Sequence, residues 1–294
     1  MKVWQQTIAR STDALKGEAL DLTRRATVRF HPGAPDAGFV FVRADLPGSP
    51  EIACRPENAM SMPRWTSLVQ EDVVVHHTEH VLAAAAGLGI DNLRMELTGD
   101  RVPVMVGGSA QAFVETLANA GVVRQRAPRE VFRLRQALFL EASLDGGTAI
   151  RGTTDLRTRA IACLPSDRFT AQYVFQAMQG EKEFVATAEW DGGPLSFVGP
   201  LSSARSYYLA SEEKQLRVIL NPLLRRLIRL GPTTPQKRIT EVARHKLVDF
   251  IGDLAILGRR IQGRFIAVRS GHALHHDLVR ALAAGGQLER FRLG

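Results

Sequence analysis

The sequence predicts an α+β protein of two domains, an expectation that rests on three observations. The 294 residues are 45% hydrophobic, enough to fill two ordinary cores. Each half of the chain closes with the same order of patterns, helix then strand then helix, which hints at an internal duplication although the residues themselves do not repeat. Between the halves, Arg124 to Glu130 (RQRAPRE) is polar and contains proline, so it marks a boundary between an N-terminal domain, 1–125, and a C-terminal domain, 130–294.

In the first half FVFVRADL (39–46) reads as a strand, and Val73 to Val75 end another. Thr78 is placed to cap a helix that continues through alanines 83–86 and stops at Gly87-Leu88-Gly89, alanine being the best helix former. LRMEL (93–97) alternates as a half-buried strand does, and Ser109 to Ala120 sets Phe113, Val114 and Leu117 on one side of a helix ended by Gly121. In the second half a long helix runs from about Thr240 to Leu257 and ends at Gly258. RFIAVRS (264–270) is a strand, and a last helix spans about His272 to Ala284.

Thirty-eight Lys and Arg against thirty Asp and Glu leave a net charge of +8, which attracts an anionic partner: nucleic acid, a nucleotide-bearing metabolite or an acidic membrane surface. The excess is scattered in pairs (Arg24-Arg25, Arg225-Arg226, Lys237-Arg238, Arg259-Arg260) that read as solvated faces. With no aromatic-basic motif, no nucleic-acid partner is expected. Cys54 and Cys163 stand alone and far apart, which excludes a disulfide framework or zinc knuckle and suits a reducing compartment. MKVWQQTIARSTDALKG lacks the apolar core of an export signal, and the longest apolar run, Val81 to Ile90, is about half of the ~20 residues a membrane span needs. The expectation is a soluble cytoplasmic protein.

Histidine distribution carries the functional signal. Seven of the eight histidines fall in three stretches that read as helix starts or bodies: His76, His77 and His80; His245; and His272, His275 and His276, with His31 apart. Imidazoles beside Glu79, Asp249 and Asp253 suggest a metal-assisted hydrolytic site. His245, Asp249 and Asp253 stand at i, i+4 and i+8 and line one helix face, supplying two of the three protein ligands that a catalytic zinc needs while a fourth position stays open to water. The plainer account is that Asp249 and Asp253 are solvated or pair with Lys246 and Arg260. His80 is the natural third ligand, with Glu79 before it as general base, although T-E-H alone is weak and is not H-E-x-x-H. His76 and His77 precede the helix and are expected to face solvent or a second layer of the site. His272 opens a helix whose dipole lowers an imidazole's pKa unless a carboxylate compensates, and Asp253 is the candidate, with His272 then a general acid.

Together, T-E-H-V-L-A-A-A-A-G-L-G-I-D-N (78–92), R-H-K-L-V-D-F-I-G-D-L (244–254) and S-G-H-A-L-H-H-D-L (270–278) resemble the UDP-3-O-acyl-N-acetylglucosamine deacetylases, zinc amidases of lipid A biosynthesis. The resemblance implies two α+β domains of similar topology, their helices packed between two sheets and the zinc at the domain junction. It implies His80, His245 and Asp249 as zinc ligands, Glu79 as general base, His272 as general acid and Asp253 as its partner. It further implies Lys246 at the developing oxyanion, and Ser206, in A-R-S-Y (204–207), in place of a family threonine. The implied partner is a small UDP-linked acyl glucosamine, handled by a monomer with at most transient membrane contact.

Three segments depart from that pattern. The family's N-terminal G-L-H-S-G is replaced by S-T-D-A-L-K-G-E-A-L (11–20), P-x-x-D-G-S by P-V-M-V-G-G-S (103–109), and G-G-S-x-D-N by N-P-L-L-R-R-L-I-R-L-G-P (221–232). Leu223, Leu224, Leu227, Ile228 and Leu230 with their arginines read as an acyl passage, a diphosphate or membrane contact, or a short amphipathic helix packed on its own domain. These losses leave two other readings open: a paralogue acting on another acylated amino sugar, or a binding protein for an acylated nucleotide sugar that has lost turnover.

Overall fold

A computed structural model describes residues 3–18, 25–103, 106–143, 158–179 and 181–291. The first half contains β1 (Trp4–Ile8), β2 (Leu15–Glu18), β3 (Arg25–Pro32), β4 (Phe39–Arg43), β5 (Glu51–Ala53), β6 (Ala59–Ser61), β7 (Thr66–Gln70), β8 (Val73–His76), α1 (Glu79–Gly87), β9 (Leu93–Thr98), α2 (Gln111–Ala120) and β10 (Val122–Pro128). The second contains β11 (Val131–Leu134), β12 (Leu138–Ser143), β13 (Thr158–Leu164), β14 (Phe169–Gln179), β15 (Lys182–Trp190), α3 (Pro194–Phe197), β16 (Tyr207–Leu209), α4 (Glu213–Leu224), β17 (Ile228–Leu230), α5 (Gln236–Ala255), β18 (Arg260–Val268), α6 (His272–Ala283) and β19 (Leu288–Phe291).

The duplication hinted at by the sequence is a duplication of topology. One sheet runs β2-β3-β9-β4-β5, and five strands of a seven-stranded sheet run β12-β13-β18-β14-β15, with β11 parallel to the start of β18 and β19 antiparallel to β11; along both five-strand runs the third and fourth strands are parallel and the other pairs antiparallel. In each half the parallel partners are joined through a helix, α1 or α5, as a parallel crossover requires. Both halves carry an insertion at the same point, between the fifth strand of the sheet and that helix: the β6-β7-β8 meander in the first, and α3, β16, α4 and β17 in the second.

Helices from the two halves meet between the sheets. Phe30 of β3 meets Phe113 of α2 edge to face at 6.4 Å between ring centres, α5 lies against β14, β15 and α6, and α1 lies against α5. The α1–α5 approach is so close that a β-carbon on Gly252 would come 1.9 Å from the carbonyl oxygen of Glu79. Only glycine admits that contact, and it brings the first turn of α1 onto the last turn of α5.

Several expectations shift in detail. The 39–46 strand ends at Arg43, because the Leu46 N–H turns back to the Arg43 carbonyl. α5 begins four residues before Thr240, directly after Pro235, whose fixed φ suits a helix start. Thr78 has helical dihedrals and gives no side-chain cap; its hydroxyl donates instead to the Thr66 carbonyl at 3.3 Å. Arg124 to Pro128, expected to mark the boundary between the domains, form most of β10, paired with β1. In the 221–232 stretch the helix ends at Leu224, and Ile228–Leu230 form a strand parallel to β16. Leu224, Ile228 and Leu230 are buried and Leu227 is half-buried, so these side chains fill a core. The Leu223 side chain, Val104 and Met105 of the 103–109 segment, Ala19 and Leu20 of the N-terminal one, and Arg24 lie outside the described residues.

Candidate metal centre

α1 opens with Glu79 and His80, and α5 presents His245, Lys246, Asp249 and Asp253 along the face turned to it. His80 Nε2 lies 3.0 Å and His245 Nε2 3.6 Å from Asp249 Oδ1. The three ligand atoms all lie within 4.8 Å of one another, and all three residues are largely buried. A tetrahedral cation with bonds of about 2.0–2.1 Å sets its ligand atoms roughly 3.3 Å apart, so this donor set fits a zinc-sized ion. His245 Nδ1 donates to the Ala204 carbonyl at 3.2 Å, which fixes the tautomer that leaves Nε2 a lone pair toward Asp249.

Electrostatics agree with a cation site. Burial pushes His245 down to about 4, so it is a neutral donor at pH 7. Burial alone would raise the Asp249 carboxyl, but Lys246 and His245 overcome it and hold the group well below the usual carboxylate range. Lys246 Nζ donates to Asp249 Oδ2 at 2.8 Å, and although burial opposes its charge, Asp249 keeps it above the ordinary lysine value. Burial also opposes a proton on His80, and Asp249 and Glu79 more than reverse that; a cation between the three donors displaces this proton.

Two further groups flank the donors. Glu79 is 3% exposed, and its Oε2 accepts from the Thr66 backbone N–H at 2.9 Å. Burial raises its pKa against the pull of His80 and His272. His272 Nδ1 donates to Asp253 Oδ2 at 2.7 Å. Burial disfavours the imidazolium, but Asp253 more than compensates and places His272 at about 9.

Seven of the eight residues expected from the sequence therefore converge: His80, His245, Asp249, Glu79, Lys246, Asp253 and His272. Ser206 stands apart from this hydrogen-bond network. It lies two residues beyond Ala204, with its main chain bonded to Gly107 and Ile228, and its hydroxyl takes no hydrogen bond among the described residues. Asp249 does pair with Lys246, but Arg260 turns to Asp91, leaving Asp253 to the histidines. Of the two histidines expected to face solvent or a second layer of the site, His76 is half-buried with Nδ1 2.8 Å from Ser67 Oγ, and His77 is buried with its ring centre 4.6 Å from that of Trp65.

Sequence reasoning passed over three participants. His275 Nδ1 donates to the same Asp253 oxygen as His272, at 2.7 Å, and its position one turn beyond His272 was the available signal. Ser270 Oγ lies 2.8 Å from His275 Nε2. Thr66 carries no local signal, because it reaches the site from β7.

Two imidazoles and a carboxylate set to grip one cation, between a buried carboxylate and a carboxylate-bound imidazolium, define a metal-dependent hydrolase centre in a two-domain α+β frame. The chain belongs to the family described as LpxC, UDP-3-O-acyl N-acetylglycosamine deacetylase, whose pattern matches residues 5–284. It is 33% identical over 284 residues to the UDP-3-O-acyl-N-acetylglucosamine deacetylase of Myxococcus xanthus, covering 94% of this chain and 85% of that protein. To the enzyme of the same name from Thioalkalivibrio sulfidiphilus it is 32% identical over 289 residues, covering 95% and 90%. For that of Nitrosococcus oceani the figures are 34% over 266 residues, 86% and 81%.

Proposed function

We propose that this protein removes the N-acetyl group from a UDP-linked 3-O-acyl-N-acetylglucosamine, with a zinc ion held by His80, His245 and Asp249. The observation that carries the reading is the convergence of those three donors from α1 and α5, with Glu79 and His272 on either side. Bound there, zinc makes water more acidic and polarises the amide carbonyl.

The residues supply the rest. Glu79, buried and held by the Thr66 N–H, takes the proton of the attacking water. Lys246, kept cationic beside Asp249, and the hydroxyl of Ser206 donate to the oxyanion that develops on the acyl carbon. His272, charged at neutral pH and oriented by Asp253, gives its proton to the departing sugar nitrogen, a poor leaving group without it. Acetate and the free amine are the products. The positive charge of the chain suits an anionic nucleotide-linked substrate. The two domains divide after β10, at 128–130, and the protein acts in the cytoplasm, where the free, buried Cys54 and Cys163 stay reduced. Among the described residues no helix is long and apolar enough to cross a membrane.

The test is acetate release from UDP-3-O-acyl-N-acetylglucosamine by purified protein whose metal content is measured in parallel. Stoichiometric zinc with turnover is expected. A metal-free protein, or a zinc-loaded one that binds this substrate and releases no acetate, overturns the reading.

A further inference from the structure

Thr66 is fully buried and uses all three of its polar groups at the site. Its N–H donates to Glu79 Oε2 at 2.9 Å, and its hydroxyl donates to Asp253 Oδ1 at 2.5 Å. Its carbonyl accepts from the Thr78 N–H at 3.1 Å, one residue before Glu79. Because the hydroxyl proton goes to the carboxylate, its lone pairs face His276 Nε2 at 3.1 Å and His272 Nδ1 at 3.2 Å and accept from them. The other oxygen of Asp253 receives His272 and His275. Glu79 belongs to the first half of the chain and Asp253, His272 and His276 to the second, so one residue of the inserted meander touches the proton-accepting and the proton-donating sides of the centre.

We propose that Thr66 is a positioning residue that sets the Glu79 carboxylate and the Asp253–His272 pair in fixed relation across the junction of the two halves. The role rests on the deacetylase reading above. The hydroxyl does two things that a methyl of the same shape cannot: it fixes Asp253 so that its second oxygen meets His272, and it disperses the charge of that carboxylate.

The test is Thr66→Val, which keeps the main-chain bond to Glu79 and removes only the hydroxyl, beside Thr66→Ser, which retains it. For the Val variant kcat falls by about 10- to 100-fold, the range for partners that orient a reacting group, while KM and metal content hold. Without the hydroxyl both the charge and the orientation of Asp253 against His272 change, so the basic limb of the pH–rate profile moves from its wild-type position. A merely structural loosening lowers stability or metal content and leaves that limb in place. The Ser variant recovers both the rate and the limb. A Val variant that turns over at the wild-type rate, or a Ser variant as slow as the Val variant, overturns the proposal. Proton NMR of the imidazole N–H groups separates this from the function itself: in Thr66→Val the His272 and His276 signals move even if wild type releases no acetate. If those signals stay in place, the contact is refuted whatever the activity.

Discussion

Gly252 and Glu79 are in main-chain contact, with 1.9 Å between the Glu79 carbonyl oxygen and the place a Gly252 β-carbon would occupy. This contact sets how far His80 stands from His245 and Asp249, because Glu79 and His80 share the first turn of α1. Gly252→Ala is expected to force α1 from α5, destabilising the protein by about 1–3 kcal/mol as overpacked cores do and weakening metal binding. Helix propensity alone predicts the opposite sign, a gain of up to about 1 kcal/mol. Urea unfolding and metal titration of the variant decide between them.

His80→Ala and Asp249→Ala each remove one of three donors, and both are expected to lose stoichiometric metal and turnover together. Glu79→Gln keeps the donors and is expected to retain metal while kcat falls roughly 10²- to 10⁴-fold, the range for loss of a general base. Elemental analysis beside acetate release checks this. A Glu79→Gln protein without metal assigns Glu79 to the donor set instead.

His272 acts only while protonated, so kcat/KM is expected to fall as pH rises through about 9. His272→Gln removes that limb along with most of the rate. A limb that survives the substitution belongs to another group.

The same imidazolium contributes to stability. Its folded pKa of about 9 lies above the ordinary histidine value of 6.5, so the contribution is complete below about pH 6.5 and disappears as pH climbs through 9. Its size is on the order of 3 kcal/mol, from about 1.4 kcal/mol per pKa unit. Denaturant midpoints across pH 6–10 are expected to fall more steeply for wild type than for His272→Gln, and parallel curves contradict the assignment.

Asp91 ties the connection between the halves to the second half on the far side of α1. Arg129 meets its Oδ2 at 2.5 Å and Arg260 its Oδ1 at 3.0 Å, while the guanidiniums also satisfy the carbonyls of Ala86, Gly89 and Ile90 near the end of α1. Asp91→Ala is expected to cost about 2–4 kcal/mol, less than a fully buried network because both arginines keep some solvent. Metal content is expected to remain, measured beside the unfolding curve.

How much of this was legible in the chain differs from residue to residue. The pairing of Lys246 with Asp249, three residues apart, and of His272 with His275 follow from helical spacing and were open to inspection. The i, i+4, i+8 face of α5 was equally plain, yet spacing could not tell that Asp249 turns to His80 while Asp253, one turn further, turns to His272. Between solvent and a second layer of the site the chain could not choose for His77, because a position just before a helix is usually wet; here it has a positive φ of 61° and tucks under Trp65, a partner chosen by the meander.

From the chain alone came the α+β class, the helices that bear the histidines, and the residue types able to hold a cation and move a proton. These depend on period and side-chain chemistry, which are local. Tertiary structure alone decided that α1 closes on α5 through Gly252, that Thr66 joins Glu79 to Asp253 with a main-chain N–H and a hydroxyl, and that Ser206 stays apart from the hydrogen-bond network. Such contacts depend on packing and strand register between segments as many as 187 residues apart, and no pattern along a single segment encodes the distance between two of them.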